Sequence, residues 1–451
     1  MRASVYQYMH LQGIGRIKIA QSTALMLRIG STSWERLPLD GNPLYGFLLL
    51  TDLLLAQMGH EEFVIYCEPI ANTKITFCAM LAICSRDLGP AVCGIRVNSY
   101  DTEEDMVEDV LMISRSVARK ASLAGLDLGG GHFVVDWDRP QDFGSNLASI
   151  FPVLEHIGSI IDEYDGKIIG APDMHTHLDT MHIVQRKTQH VICNTSFRHF
   201  VRVENGLEEP GSVNGSGDPS SFAAYSAYRS MLKALQFLDG RDSLSGVRVL
   251  IIGLGRTGLA LVDYLTKAGA EIYGADVDES TCQIMEELYP VRILARNAEQ
   301  VASIHRFACD ILAPCAMGQM LSDKRIKDFQ CRIICGTANH QLNTDKDAIL
   351  LQDRGILYVP DILANCGGMI NASSEVRCDE SGKLWYREQY DEALVKKRID
   401  TLIDTTLTDV LKVAKEQHLS PHEVAIARAD MRLSGQRKER WIRAYEASRK
   451  K

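Results

Sequence analysis

Hydrophobic positions change their spacing along this chain, and the change divides it into segments. Residues 62–67, 75–81 and 91–97 are short apolar runs separated by polar turns, the pattern of strands, and residues 50–58 just before them read as helix. Residues 103–124 repeat apolar positions every three or four residues, which predicts a long amphipathic helix ending near a glycine-rich loop at Gly129-Gly130-Gly131. A strand at 132–135, a helix at 145–164 and a strand-like pair at 168–169 then lead to a loop at Asp173. The segment 211–220, GSVNGSGDPS, is polar and rich in glycine and serine, suited to a hinge or a loop over a ligand. A helix at 221–238 follows, and strands at 247–252, 313–315, 333–335 and 358–359 alternate with helical stretches. Residues 388–447 read as helix with alternating charges and end in a basic tail, which is read as a solvated face.

One of these alternations carries chemistry. Residues 247–276 read VRVLIIGLGRTGLALVDYLTKAGAEIYGAD: a buried strand, the turn Gly253-x-Gly255-x-x-Gly258, a helix, and a second strand ending on Asp276 about twenty residues later. Gly253 suits the tight turn, Gly255 lets backbone approach a pyrophosphate, and Gly258 lets the helix pack on the strand, with the helix N-terminus facing the phosphates. An acid at Asp276 accepts hydrogen bonds from a ribose 2′-hydroxyl and repels a 2′-phosphate, so the expected cofactor is NAD rather than NADP. Arg256 and Thr257 lie inside the fingerprint; Arg256 either reaches a cofactor phosphate or is an ordinary exposed residue of a first helical turn.

Composition narrows the partners. With 451 residues, 46% of them hydrophobic, the chain can bury two cores at about 100 to 200 residues per domain. Its 58 acidic against 49 basic residues argue against nucleic acid held by bulk charge, and favour small molecules. The strongest apolar run, at 45–55, is too short to span a membrane and contains Asp52. Twelve cysteines without a CxxC pair read as free core thiols in a reducing compartment, hence a cytoplasmic protein. The first 34 residues contain no acid but carry Arg2, Arg16, Lys18 and Arg28. They read as a surface extension, as residues upstream of an internal start, or as a transit peptide.

Several segments together resemble the leucine, phenylalanine and valine dehydrogenases of the glutamate dehydrogenase superfamily. They are Asp87-Leu-Gly-Pro-Ala91 with Gly94-Ile-Arg96, then Lys120-Ala-Ser-Leu-Ala-Gly-Leu-Asp-Leu-Gly-Gly-Gly131, Ala171-Pro-Asp173, and Gly215-Ser-Gly-Asp-Pro219 with Ala224-Tyr225. After the nucleotide fingerprint come Ala313-Pro-Cys-Ala316, Gly336-Thr-Ala-Asn339 with Gln341-Leu342, and Pro360-Asp361 with Asn365-Cys-Gly-Gly368. The resemblance implies an α/β protein of two domains: an extension at 1–47, a substrate-binding and oligomerisation domain at 48–210, a Rossmann-type NAD domain at 211–375, and C-terminal helices at 376–451 that pack back. It implies a homo-oligomer acting on an amino acid or 2-oxo acid, with no metal. It also assigns roles. Lys120 holds the substrate carboxylate, Asp173 shuttles protons, Gly94 lies at the substrate, Asn339 and Asn365 border the nicotinamide and the substrate amino group, and Ala316 lies at the cofactor.

Departures from the family pattern cluster where the reaction occurs. The catalytic lysine after the glycine triplet is His132, the glycine before Gly94 is Cys93, the glycine two places after the aspartate is His175, and a threonine that touches the nicotinamide aligns with Ala223. A histidine titrating near about 6.5 can still act as general base. The expectation is therefore that His132 replaces the lysine and that Asp173 orients it by a hydrogen bond, against the alternative of a decayed site. The spacing of His175, His177 and His182 near Asp173 invites a metal reading, but histidines lining a pocket fit the family better. Cys93 is read as inert packing, with a reactive thiol as the alternative. The expected function is NAD-dependent oxidative deamination of an L-amino acid. Imine reduction or coupling of a 2-oxo acid with an amine, and an inactive nucleotide-binding partner, stand as alternatives.

Overall fold

A computed structural model describes residues 4–12, 14–20, 23–29, 35–36, 44–137, 147–193, 197–202, 208–213, 215–316, 318–378, 384–386 and 390–449. Two sheets organise it. The first contains β1 (Ile14–Ala20), β2 (Thr23–Ile29), β3 (Glu35–Arg36), β4 (Glu62–Pro69), β5 (Thr76–Ser85), β6 (Ala91–Asn98), β7 (Gly129–Asp136) and β8 (Ile168–Pro172), in the order β3-β2-β1-β4-β5-β7-β6-β8. Strands β6, β7 and β8 run parallel, and the remaining pairs are antiparallel. Alternation along β7 sends Phe133 and Val135 into one core with helix Leu147–Glu163, and Val134 into the other with helix Glu103–Leu123.

The segment at 14–20, for which the apolar pattern predicts no element, is an integral strand. Ile14, Ile17 and Ile19 are buried, and Arg16 is only 7% exposed because it pairs with Glu68 and with Glu163 and lies 5.1 Å from the centroid of the Tyr66 ring. Lys18 pairs with Glu62 at 2.6 Å. Its charged residues suggest a surface, but their partners lie on distant segments that local periodicity cannot reveal.

A hairpin of β9 (Phe197–Arg202) and β10 (Glu208–Val213) precedes the second sheet. That sheet holds β11 (Arg248–Ile252), β12 (Glu271–Ala275), β13 (Val291–Ala295), β14 (Ile311–Pro314), β15 (Ile333–Ile334) and β16 (Leu357–Tyr358). All are parallel, in the order β13-β12-β11-β14-β15-β16, the doubly wound arrangement whose crevice opens beyond the carboxyl ends of β11 and β14. A short pair, β17 (Val376–Cys378) and β18 (Leu384–Tyr386), follows it. Within the stretch expected to be helical from 388 lie helices Glu392–Leu402, Thr408–Gln417 and Pro421–Arg449.

The C-terminal helices pack back on both units. Arg119 of helix Glu103–Leu123 grips Asp430 of helix Pro421–Arg449 with two hydrogen bonds of 2.9 and 2.7 Å, Ser122 Oγ donates to the Ala429 carbonyl at 2.8 Å, and Arg432 donates to the Leu126 carbonyl at 3.0 Å. A second tie is the buried Glu375 carboxylate, which accepts the backbone N–H of Cys193 at 3.1 Å and of Ser216 at 2.5 Å. Two donors do not repay its desolvation, and its pKa is pushed up to about 7.

Candidate active site

The glycine triplet is part of β7, not a loop before it, and each glycine is needed for close approach. A Cβ on Gly129 would sit 2.1 Å from the Ser85 carbonyl, one on Gly130 2.1 Å from the Ala118 backbone nitrogen, and one on Gly131 2.5 Å from Cys93 Sγ. Strand β7 therefore lies directly on helix Glu103–Leu123, which brings Lys120, in the last turn of that helix, to the strand that carries His132.

His132 pairs with Ala82 of β5 and Gly94 of β6, and it is buried at 1% exposure. A Cβ on Gly94 would lie 2.9 Å from His132 Cε1 and 3.3 Å from Asp173 Cβ, so Gly94 keeps room between these two groups. Sequence reasoning expected Asp173 to hold His132 by a hydrogen bond, and the geometry corrects this. Nε2 of His132 is 3.6 Å from Asp173 Oδ2, beyond a normal hydrogen bond, whereas Arg96 Nε donates to that same oxygen at 2.7 Å. A fixed guanidinium outcompetes a neutral imidazole for a carboxylate. Arg96 also donates to both oxygens of Asp109 at 3.1 Å, and Asp109 accepts from Tyr100 at 2.6 Å. Burial works against the Asp173 carboxylate, but Arg96 more than offsets it and holds the group well below the usual carboxylate range. For His132 burial prevails: its pKa is pushed down to about 4, so the imidazole is neutral at physiological pH rather than titrating near 6.5.

Across the cleft, Lys120 Nζ donates to Asn339 Oδ1 at 2.5 Å, and Asn365 Nδ2 donates to the same oxygen at 2.9 Å and to the carbonyls of Thr337 and Ala338 at 3.1 and 3.2 Å. Burial lowers the Lys120 pKa, partly countered by Asp361. The polar atoms left over are the informative ones. Both ring nitrogens of His132, Oδ1 of Asn365 and Nε2 of His340 are shielded from solvent and have no hydrogen-bond partner. Native interiors seldom tolerate such orphans without a ligand or water to satisfy them.

His340 and Arg96 belong to this cluster, and sequence reasoning gave neither a role. Arg96 was findable, since it lies two residues from Gly94 on β6 and shares its face. His340 had no signal: its backbone is left-handed at φ 49° and is held there by a 2.5 Å bond from Gln319 N–H to its carbonyl. Burial pushes its imidazole down to about 4, with Asp361 favouring and Lys120 opposing its charge.

The nucleotide fingerprint lies between β11 and helix Arg256–Lys267. Gly253, at φ 100°, abuts Ala316, two residues beyond the end of β14, so a Cβ there would lie 2.6 Å from the Ala316 nitrogen; one on Gly258 would lie 2.1 Å from the Gly253 carbonyl. Gly255 differs, because a Cβ there would meet nothing within 4 Å. Protein packing does not explain that glycine, and the space beside it is open. Asp276 accepts from the Leu254 N–H at 2.6 Å and the Asp278 N–H at 3.0 Å, which fixes its carboxylate beside the turn, and Thr257 Oγ1 accepts from Thr337 Oγ1 at 2.9 Å. Arg256 reaches 3.4 Å from Asp218 and 3.4 Å from the Thr176 carbonyl of the opposite unit. These residues fit a dinucleotide. Gly258→Ala should therefore destabilise the fold by about 1–3 kcal/mol. Gly255→Ala should leave the melting temperature nearly unchanged while weakening NADH binding at least roughly tenfold. Thermal melts and fluorescence titration separate the two, and equal behaviour of both variants would reject the assignment.

The other altered positions are satisfied structurally. His175 lies in a left-handed turn, with Nδ1 2.8 Å from the Val97 carbonyl, and His177 precedes helix Leu178–Gln185, its N–H bonded to Thr180 Oγ1 at 2.8 Å. His182 lies on that helix with its Nε2 buried and without a hydrogen-bond partner, and the three do not share a strand face. The Cys93 thiol is buried and pushed up to about 12, as suits packing against Gly131. Ala223 lies near Gly368, where an added Cβ would be 3.7 Å from its own.

Two family models match the chain: "Glu/Leu/Phe/Val dehydrogenase, dimerisation domain" over residues 61–190 and "Glutamate/Leucine/Phenylalanine/Valine dehydrogenase" over residues 275–440. The phenylalanine dehydrogenase of Thermoactinomyces intermedius is 31% identical over 82% of this chain and 91% of its own length. The valine dehydrogenase of Streptomyces virginiae is 32% identical over 84% of this chain and 96% of its own. The crystal structure of L-tryptophan dehydrogenase from Nostoc punctiforme superposes with a TM-score of 0.62 at 25% identity, covering 86% of this chain and 99% of that one.

Proposed function

The chain belongs to the glutamate/leucine/phenylalanine/valine dehydrogenase family, and on that premise we propose that it catalyses NAD-dependent oxidative deamination of an L-amino acid to a 2-oxo acid, and the reverse. The observation that carries the reading is the set of unsatisfied buried atoms from both units, at His132, Asn365 and His340, in the cluster that holds the Lys120–Asn339 contact. NAD, when bound, supplies the acceptor for the hydride that leaves the substrate α-carbon. Gly255 and the N-terminus of helix Arg256–Lys267 would hold its pyrophosphate, with Thr257 and Ala316 beside it and Arg256 at the rim. Asp276 would accept from the ribose and disfavour a 2′-phosphate.

The chain's own residues then divide the work. Lys120 pairs with the substrate carboxylate, held in place by Asn339. Asn365 Oδ1 accepts an N–H of the substrate amine. As hydride departs, the nitrogen lone pair forms the iminium. His132 takes a proton from the water that attacks it, and ammonia leaves as the ketone forms. The Asp173 anion, 3.6 Å away, favours the resulting imidazolium, while Arg96 opposes it and limits the basicity of the pair. That tempered basicity supports a second reading, reductive coupling of a 2-oxo acid with an amine, in which water activation is not wanted.

Purified protein incubated with NAD or NADP and a panel of amino acids, with NADH absorbance followed at alkaline pH, tests the first reading. The expected result is turnover with NAD and little with NADP. Tight NAD binding without turnover on any amino acid rejects it. Product masses from a 2-oxo acid, an amine and NADH then separate coupling from an inactive nucleotide-binding partner.

A further inference from the structure

Cys67 on β4 and Cys78 on β5 face each other directly in the sheet. The hairpin fixes what kind of pair they form. The Ile70 N–H donates to the Ile75 carbonyl at 2.9 Å, making Ile70 and Ile75 a hydrogen-bonded pair. Pairs alternate along an antiparallel ladder, so Cys67 and Cys78, three steps further along, are a non-hydrogen-bonded pair with Cα atoms about 4.5 Å apart. That separation lies inside the range of about 4.4–6.8 Å that a disulfide spans. Cys67 is buried and Cys78 partly exposed. Among the described residues, no other strand register puts two cysteines opposite one another.

We propose that Cys67 and Cys78 are a peroxide-oxidisable dithiol that closes a cross-strand disulfide. At rest the Cys67 thiol donates to the Tyr6 carbonyl, and Cys78 opposite it lowers the Cys67 pKa, so the ionised fraction of Cys67 is the nucleophile. That sulfur attacks one oxygen of hydrogen peroxide and expels hydroxide, leaving a sulfenic acid. Cys78 then gives its proton to hydroxide and attacks Cys67 Sγ, displacing the second oxygen. Two thiols are oxidised, one peroxide is reduced, and two waters leave. The N-terminal helix Val5–Gln12 senses the change, because Cys67 Sγ donates to the Tyr6 carbonyl at 3.6 Å and the disulfide has no proton to give. The remaining anchors of that segment, from the Val5 N–H at 2.9 Å and the Tyr6 N–H at 3.3 Å to Glu103, stay in place, so the helix loosens without unfolding the sheet.

The test does not depend on the dehydrogenase reading. Reduced full-length protein is treated with hydrogen peroxide, quenched with catalase, alkylated in denaturant, digested without reduction and analysed by mass spectrometry. Cys67 and Cys78 should lose their alkylation tags together, before any other cysteine, and appear as one linked peptide lacking two hydrogens that dithiothreitol restores. Cys78→Val and Cys78→Ser should abolish the link and leave Cys67 as sulfenic acid that a dimedone probe captures. The proposal is overturned if both thiols stay alkylatable while other cysteines oxidise, or if either one links to a different partner.

Discussion

His132→Ala should lower kcat/KM for amino-acid oxidation by roughly 10²- to 10⁴-fold, the usual contribution of a positioned general base. NADH affinity should not change, because His132 belongs to the first sheet while the fingerprint belongs to the second. The pH profile gives an independent reading. kcat/KM reports the free enzyme, in which burial pushes His132 down to about 4. Once titration of the substrate amine is accounted for, no acid limb near pH 6.5 should appear, and the loss should come only as pH approaches about 4. A rate within a few-fold of the parent enzyme would remove His132 from the chemistry. A limb centred at 6.5 would mean that the substrate-free imidazole is solvated. His132→Lys places an amine beside the Asp173 carboxylate and should retain or raise oxidative turnover, since the resemblance to the family puts a lysine there.

Acidification should destabilise the fold well before ordinary carboxylate protonation does so. His60, with Nε2 2.7 Å from Ser114 Oγ, and His132 are both buried and pushed down to about 4 from 6.5. A histidine whose folded pKa is depressed binds its proton first in the unfolded chain. Stability is therefore complete above about 6.5 and declines as pH falls towards about 4, by about 3 kcal/mol for each group. Glu375 acts in the opposite sense. Its pKa is about 7 in the fold against 4.5 for the free side chain, so the folded state takes up that proton first and gains about 3 kcal/mol between pH 7 and 4.5. His340 is pushed to the same value, so with three histidines against Glu375 the net expected loss from pH 7 to 4 is about 6 kcal/mol, and Glu375→Gln should raise it by roughly half by removing the opposing contribution. Chemical denaturation at a series of pH values measures both. A flat profile between pH 7 and 5 in the Glu375→Gln variant would contradict the assigned burial of these histidines.

The strand-turn-helix proposed to bind the nucleotide was legible because its physics is local. Gly253, Gly255, Gly258 and Asp276 lie within or directly beside one strand-helix-strand unit, so their spacing in sequence expresses their relation in space. The members of the cleft cluster, Lys120, His132, Asp173, Asn339 and Asn365, were named from the sequence, but their partnerships were not. Asp173 was expected to hold His132 and instead holds Arg96, because which of two buried groups wins a carboxylate depends on distances between strands far apart in sequence. The glycine triplet read as a loop because three glycines weaken a strand locally; packing against Ser85, Ala118 and Cys93 makes them the only residues that fit one.

What the chain's own pattern determined, then, is a doubly wound nucleotide unit beside a second α/β unit, since short-range periodicity and glycine spacing suffice for that. The tertiary structure alone decided that residues 14–20 complete the first sheet through the ion pairs of Arg16 and Lys18, that His132 is kept neutral by burial, and that His340 enters the cleft from a left-handed turn. Each of those outcomes rests on desolvation or on charges brought together from distant segments, and neither quantity exists until the chain has folded.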